Sequence, residues 1–97
     1  MNTFVDNEKW VYIVVQNSGQ DEHIFGLHDP ENDLDFIPAF FNKEDAQQGL
    51  LNMPHSSGMR YEVQTIIYED LSEYAKQNLS MIFFLDMNGQ ILAKIES

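Results

Sequence analysis

The chain has 97 residues, of which 43% are hydrophobic and 12% aromatic. That is enough apolar mass for one small core, so the composition argues for a single folded domain over 1–97 and against disorder. Sixteen Asp and Glu face five Lys and Arg, a net charge of −11, which repels nucleic-acid phosphates and anionic lipid and favours a basic partner. With no cysteine there is no disulfide and no thiol chemistry.

The first residues, MNTFVDNEKW, carry acids and lack the basic and apolar regions of a secretory signal. The expected location is therefore cytoplasmic. The longest apolar run, MIFFL over 81–85, is too short to cross a bilayer, so no membrane insertion is expected. WVYIVVQ, over 10–16, is β-branched and aromatic on both alternating sets and reads as a strand buried on both faces. Asn17-Ser18-Gly19-Gln20 is a turn signal, and HIFGLH over 23–28 reads as a second strand. LDFIPAFF over 34–41 reads as a third. Pro38 cannot donate a ladder hydrogen bond, which predicts an edge or a bulge there.

Asn42 offers a helix N-cap with Asp45 at the third helical position. The helix over 43–53 then sets Ala46, Leu50 and Met53 on one stripe, weakened at Gly49 by roughly 1 kcal/mol relative to Ala. Pro54 and the following HSSG end it. A strand over 61–68 leads to a second capped helix. Asp70 is its expected cap, with Glu73 three residues on, and Leu71, Tyr74, Ala75 and Leu79 form its apolar face. A buried strand over 81–87 meets Asn88-Gly89. That dipeptide suits the two positive-φ positions of a type I′ turn, so 90–95 should return as a hairpin. The expected architecture is α+β: a mixed sheet of about six strands in the order β-β-β-α-β-α-β-β, both helices on one face, and a C-terminal hairpin.

HDPENDLDF, over 28–36, spaces four carboxylates at Asp29, Glu31, Asp33 and Asp35. A calcium loop needs glycine where Leu34 stands and a bidentate Glu where Phe40 stands, so the pattern reads as a solvated turn. His23, His28 and His55 have no helical zinc spacing, and Ser56-Ser57-Gly58 lacks a nucleophile elbow. No glycine-rich phosphate loop is present, and the five basic residues are scattered. These patterns predict no catalytic residue, no metal site and no cofactor.

FIPAFFNKEDA, over 36–46, resembles the N-terminal domain of SseB-like proteins, where an apolar-Pro-x-Phe strand enters a helix opened by a polar cap, two acids and Ala. YEVQTIIYEDLSEYAKQNLSMIFFLD resembles the later strand, helix and terminal strand of that layout. Asp86-Met87-Asn88-Gly89 replaces the Asn-Pro that follows the last strand there. The start, VYIVVQNSGQDEHIFGL, is similar in pattern to a small uncharacterised cyanobacterial family. The resemblance implies a small α+β domain without catalytic residues, used in protein interactions.

The functional expectation is a non-catalytic interaction or regulatory domain whose partner is another protein with a basic surface, and not nucleic acid. Asp33 and Asp35 on the third strand would supply charge, and Phe40 or Phe41 an apolar anchor, beside an open strand edge. Alternatives are an immunity or inhibitor protein that neutralises a basic partner, a DNA mimic, and a small enzyme without a recognisable motif.

Overall fold

The computed structural model describes residues 5–17, 21–54, 56 and 58–96. The expected turn over 18–20, His55 and Ser57 lie outside these residues. The elements are β1 (Trp10–Asn17), β2 (Glu22–Ile24), β3 (Leu27–Asp29), β4 (Leu34–Phe40), α1 (Lys43–Leu51), β5 (Arg60–Ile67), α2 (Tyr68–Gln77), β6 (Met81–Leu85) and β7 (Ile91–Ile95). The class is α+β, as expected. Among the described residues the mixed sheet has seven strands, not six, because the stretch over 23–28 breaks at Phe25-Gly26 into β2 and β3.

Register fixes the strand order. Tyr12 and Ile13 pair with β4 and β5 at once, so these strands flank β1 on opposite edges. Val15, Gln16 and Asn17 pair with both β2 and β5, which puts β2 on the β4 side. Phe36 likewise pairs with β3 on one edge of β4 and with β6 on the other. The frame is therefore β5-β1-β4-β6-β7, with β2 and β3 filling the wedge where β1 and β4 diverge. Phe25 turns into the core at this break, and its amide donates to the Val14 carbonyl at 2.8 Å.

This order corrects the expectation for Pro38. Its strand is interior and Pro38 is fully buried, paired with Phe83 of β6. On the other edge β3 covers Leu34 and Phe36, and β1 covers Ala39 and Phe40. Pro38 falls in the gap between them, where its missing donor interrupts no ladder.

The helices also correct the expectation of a common face. Val11, Ile13 and Val15 of β1 join Ile37, Ala39, Ile82 and Phe84 in a cluster under Leu71 and Ala75 of α2. Val14, Phe40, Phe83 and Leu85 form a second cluster under Ala46 of α1. Residues of opposite parity point to opposite faces of a sheet, so α1 and α2 lie on opposite faces. Strands β4, β5 and β6 run parallel, because β4 and β5 are both antiparallel to β1 and β6 is parallel to β4. The first crossover passes over β1 to β5, and the second returns past β1 and β4 to β6. Two crossovers of like hand running in opposite directions must use opposite faces.

Asn42 caps α1 as its sequence requires. Its Oδ1 accepts from the Asp45 amide at 2.8 Å and its Nδ2 donates to Asp45 Oδ2 at 3.1 Å. Asp70 does not cap α2. That helix starts at Tyr68 with no side-chain cap, and its first amides are met by distant backbone. Tyr68 donates to the Lys9 carbonyl at 2.8 Å and Glu69 to that of Asn7 at 3.0 Å. Asp70 stays in the first turn, where its charge complements the helix dipole.

Leu79, expected on the buried stripe, is 89% exposed. It holds φ 53 at the end of α2, where Ser80 donates to the Ala75 carbonyl at 2.9 Å and Leu79 to that of Lys76 at 3.2 Å. This bond pair is the Schellman motif, with Leu in the position that glycine usually takes.

The C-terminal hairpin forms, but not through a type I′ turn. Gly89 has φ 82 and Asn88 is not in the left-handed region. Gly89 donates to the Asp86 carbonyl and Asp86 to that of Gln90, each at 3.0 Å. Asp86 Oδ1 accepts from the Asn88 and Gln90 amides, each at 2.9 Å. A carboxylate-braced turn followed by a left-handed glycine thus replaces the two-residue loop.

Candidate functional site

On the α1 face the sheet is only partly covered. A cleft of about 410 Å³ opens between the end of α1, β3 and the β6–β7 hairpin. Its floor is the stacked pair Phe36 and Phe83, with centroids 4.3 Å apart and planes at 16°. Leu27, Met53, Leu85 and Ile91 form its walls. Asn52 Nδ2 donates to the Met87 carbonyl at 3.2 Å and ties the end of α1 to the hairpin.

A bulge places Ile91. Phe84 pairs with Ala93, but Leu85 pairs with Ile91, so Leu92 is the extra residue in β7. One inserted residue reverses the alternation. Ile91 therefore faces the cleft beside Leu85, while Ala93 points into the α2-side core. Ile91 keeps 47% of its surface exposed.

Among the described residues lining the cleft, Asp29 is the titratable one. Its carboxylate accepts from Asn32 Nδ2 at 2.8 Å and from the Glu31 amide at 3.0 Å. The Asn32 amide, followed by the backbone donors, holds Asp29 below its ordinary value. Lys94 carries its ammonium 5.3 Å from the Phe83 ring centroid. Chemically, the cleft can bury apolar side chains between polar ends at Asp29, Asn52 and Asn88.

The four partner residues expected from sequence are not brought together. Asp33 and Asp35 are exposed. Their partner is His28 of the adjacent strand, whose Nδ1 lies 2.7 Å from Asp35 Oδ1 and whose Nε2 lies 3.5 Å from Asp33 Oδ1. The Asp35 hydrogen bond, supported by the charges of Asp35, Asp33 and Asp29, raises the His28 pKa above 6.5. Asp33 holds φ 50, a left-handed conformation that a short acidic side chain tolerates. Phe40 is fully buried and offers no surface to a partner. Phe41 is half-buried, stacked on Phe84 at 4.2 Å. Asp35 and Phe41 share the α2 face but lie six residues apart on β4 and its continuation, about 20 Å.

The carboxylate run thus resolves into a braced turn at Asp29 and a histidine, His28, held against Asp35 and Asp33. Among the described residues no group of three or more His, Asp or Glu is placed to hold one metal ion. No described helix is long and apolar enough to cross a membrane.

Asp29, Phe40, Met53 and Asn88-Gly89 each carry a signal in the sequence, but those signals point to turns, a helix stripe and a strand, not to a shared cleft. One further signal was present: Ile91-Leu92 puts two large apolar residues side by side where a hairpin strand should alternate. Compared with protein-family models, curated proteins and solved structures, the chain matches none.

Proposed function

We propose that this chain is a non-catalytic protein-interaction domain, and that the cleft on its α1 face receives an apolar segment of another protein. The observation that carries the reading is the half-exposed Ile91 beside the partly buried Phe36, at a cleft whose floor is the stack of Phe36 on the buried Phe83. An apolar concavity with a few polar groups at its rim is the usual form of a binding site. The net charge of −11 supports a partner with basic residues flanking the apolar segment. The SseB-like layout of 36–46 is in keeping with such a role. The same charge favours a second reading, an inhibitor that covers a basic active site.

Affinity capture from native lysate, at low and high salt, tests the reading with two variants. Ile91→Ser should lose the partner at every salt concentration, because it alters the apolar contact. Asp33→Lys with Asp35→Lys should weaken capture at low salt only, because screened surface charge governs encounter more than contact. If capture is insensitive to Ile91→Ser, the cleft is not the docking site. Loss of capture only with the charge variant favours the inhibitor reading.

A further inference from the structure

Trp10 is the chain's single tryptophan, and 58% of its surface is exposed. It stands at the start of β1 opposite Ile67 of β5, as Tyr12 stands opposite Thr65 and Val14 opposite Val63. Tyr12, Val14 and Val63 belong to the α1-side cluster, so by alternation Trp10, Thr65 and Ile67 face that side too. Thr65 is exposed, and Val63 and Ile67 are half-buried. The stretch from Val63 to Ile67 holds no charge and no Pro, so it lacks the devices that guard a sheet edge. Its backbone is open as well. Tyr68 donates to the Lys9 carbonyl, and in the unbroken register of β5 on β1 this turns Gln64 and Ile66 toward β1, and Val63, Thr65 and Ile67 away from it. Among the described residues no strand pairs with that edge, and hollows of about 520 and 210 Å³ flank Gln64 and Thr65 on its two faces.

We propose that Val63–Ile67 pairs with the same stretch of a second copy of this chain, antiparallel about a two-fold axis at Thr65. The axis runs normal to the sheet, which keeps the faces matched. Val63 then opposes Ile67 of the second copy, Thr65 opposes Thr65, and Gln64 opposes Ile66. Each outward amide and carbonyl of the stretch gains a partner, and the side chains that meet are Thr with Thr and one β-branched residue with another. Each Trp10 borders one of the two Val63–Ile67 contacts. Other axes fit less well. At Val63 or Gln64 the ladder would draw in Tyr61, whose ring already packs on Phe25 and whose hydroxyl accepts from the Ser56 amide. At Ile66 the copies would overlap only over Thr65–Ile67. Charge favours the same contact. In a chain of net charge −11, this uncharged stretch lets two copies meet without setting carboxylates against each other, and Glu62 and Glu69 fall at its ends.

Sedimentation over a wide concentration range, with amide exchange read residue by residue, tests this. The wild type should form a dimer that tightens as salt rises, because screening relieves the repulsion between two acidic chains. The amides of Val63, Thr65 and Ile67 should become protected as the dimer fills, whereas those of Gln64 and Ile66 are protected in monomer and dimer alike. The emission of Trp10 should move to shorter wavelength over the same concentration range. Thr65→Lys sets two ammonium groups opposite each other on the axis and should weaken association by roughly tenfold. Thr65→Val keeps the β-branched contact and should leave association at least as tight. Circular dichroism checks that each variant is folded, and the exchange pattern of the wild type decides the question even where a variant is not. A monomer at all concentrations overturns the proposal. So does a dimer in which Val63, Thr65 and Ile67 stay unprotected, or one that a folded Thr65→Lys variant forms equally well.

Discussion

Gly49 should resist replacement by alanine, although it sits inside a helix. In an open helix Gly→Ala stabilises by about 1 kcal/mol. Here a Cβ on Gly49 would lie 2.7 Å from both Cε1 and Cζ of Phe40. That ring has no exposed surface and packs in the α1-side cluster, so it cannot swing into solvent to make room. Forcing a methyl into such a core costs about 1–3 kcal/mol. The steric cost exceeds the propensity gain, and Gly49→Ala should lose about 1 kcal/mol net. For a domain of this size that is a drop of roughly 4–8 °C in melting temperature, read by calorimetry or by circular dichroism at 222 nm. Phe40→Leu should be destabilising alone, on the order of 1 kcal/mol, yet should remove most of the clash. The double variant should therefore be more stable than the sum of the singles by about 1 kcal/mol. If Gly49→Ala melts at or above the wild type, or if the two changes simply add, close helix–sheet approach is not the reason for this glycine.

Three further outcomes follow from backbone and charge. Leu79→Gly should stabilise by about 0.5 kcal/mol in urea unfolding, because it relieves a left-handed leucine at φ 53 while adding unfolded-state freedom. Gly89→Val should destabilise by about 1–3 kcal/mol through strain at φ 82, since no atom stands within 4 Å to clash with the new side chain. His28 titrates above 6.5 because the folded state favours its charged form, so its pairing stabilises the fold fully below that pH and is lost as pH rises through the folded pKa. Asp35→Asn should bring the His28 NMR titration back toward 6.5 and lower stability only on the acid side; an unmoved titration would refute the pairing.

The features legible in sequence are those settled within a few residues. Asn42 and Asp45 exchange their own hydrogen bonds, so the start of α1 is written locally. The two-sided apolar pattern of β1 announces a central strand whatever its neighbours are. Asp70 misled because the first amides of α2 are satisfied by the carbonyls of Lys9 and Asn7, some sixty residues earlier in the chain. Pro38 misled for a related reason: it stands inside the sheet where two partners, β3 and β1, each stop short of it. Helix placement depends on the direction of each crossover, and strand order is not encoded in any local period. The cleft combines β3, α1 and the hairpin, so no single stretch could reveal it.

The cleft follows from that same topology. Strands lie about 4.8 Å apart, whereas a helix with its side chains is about 10–12 Å across, so one helix shields only two or three strands. On this face α1 joins β4 to β5 and packs toward β1, which leaves β6 at the margin of its cover and β7 beyond it. A purely structural margin there would carry polar side chains, yet Ile91 is half-exposed beside the partly buried Phe36, with Phe83 and Leu85 buried beneath them. Ile91 separates the two explanations. With 47% of its surface already exposed, it buries only part of its side chain, so Ile91→Ser should cost no more than about 1–1.5 kcal/mol of stability. If Ile91 serves binding, that variant stays folded at 25 °C and fails to capture the partner. If it serves the fold, stability falls by several kcal/mol, as for a core truncation, and capture per folded molecule is unchanged. Unfolding in urea alongside capture by the same preparation distinguishes these outcomes, and the second would remove the main support for an interaction site on this face.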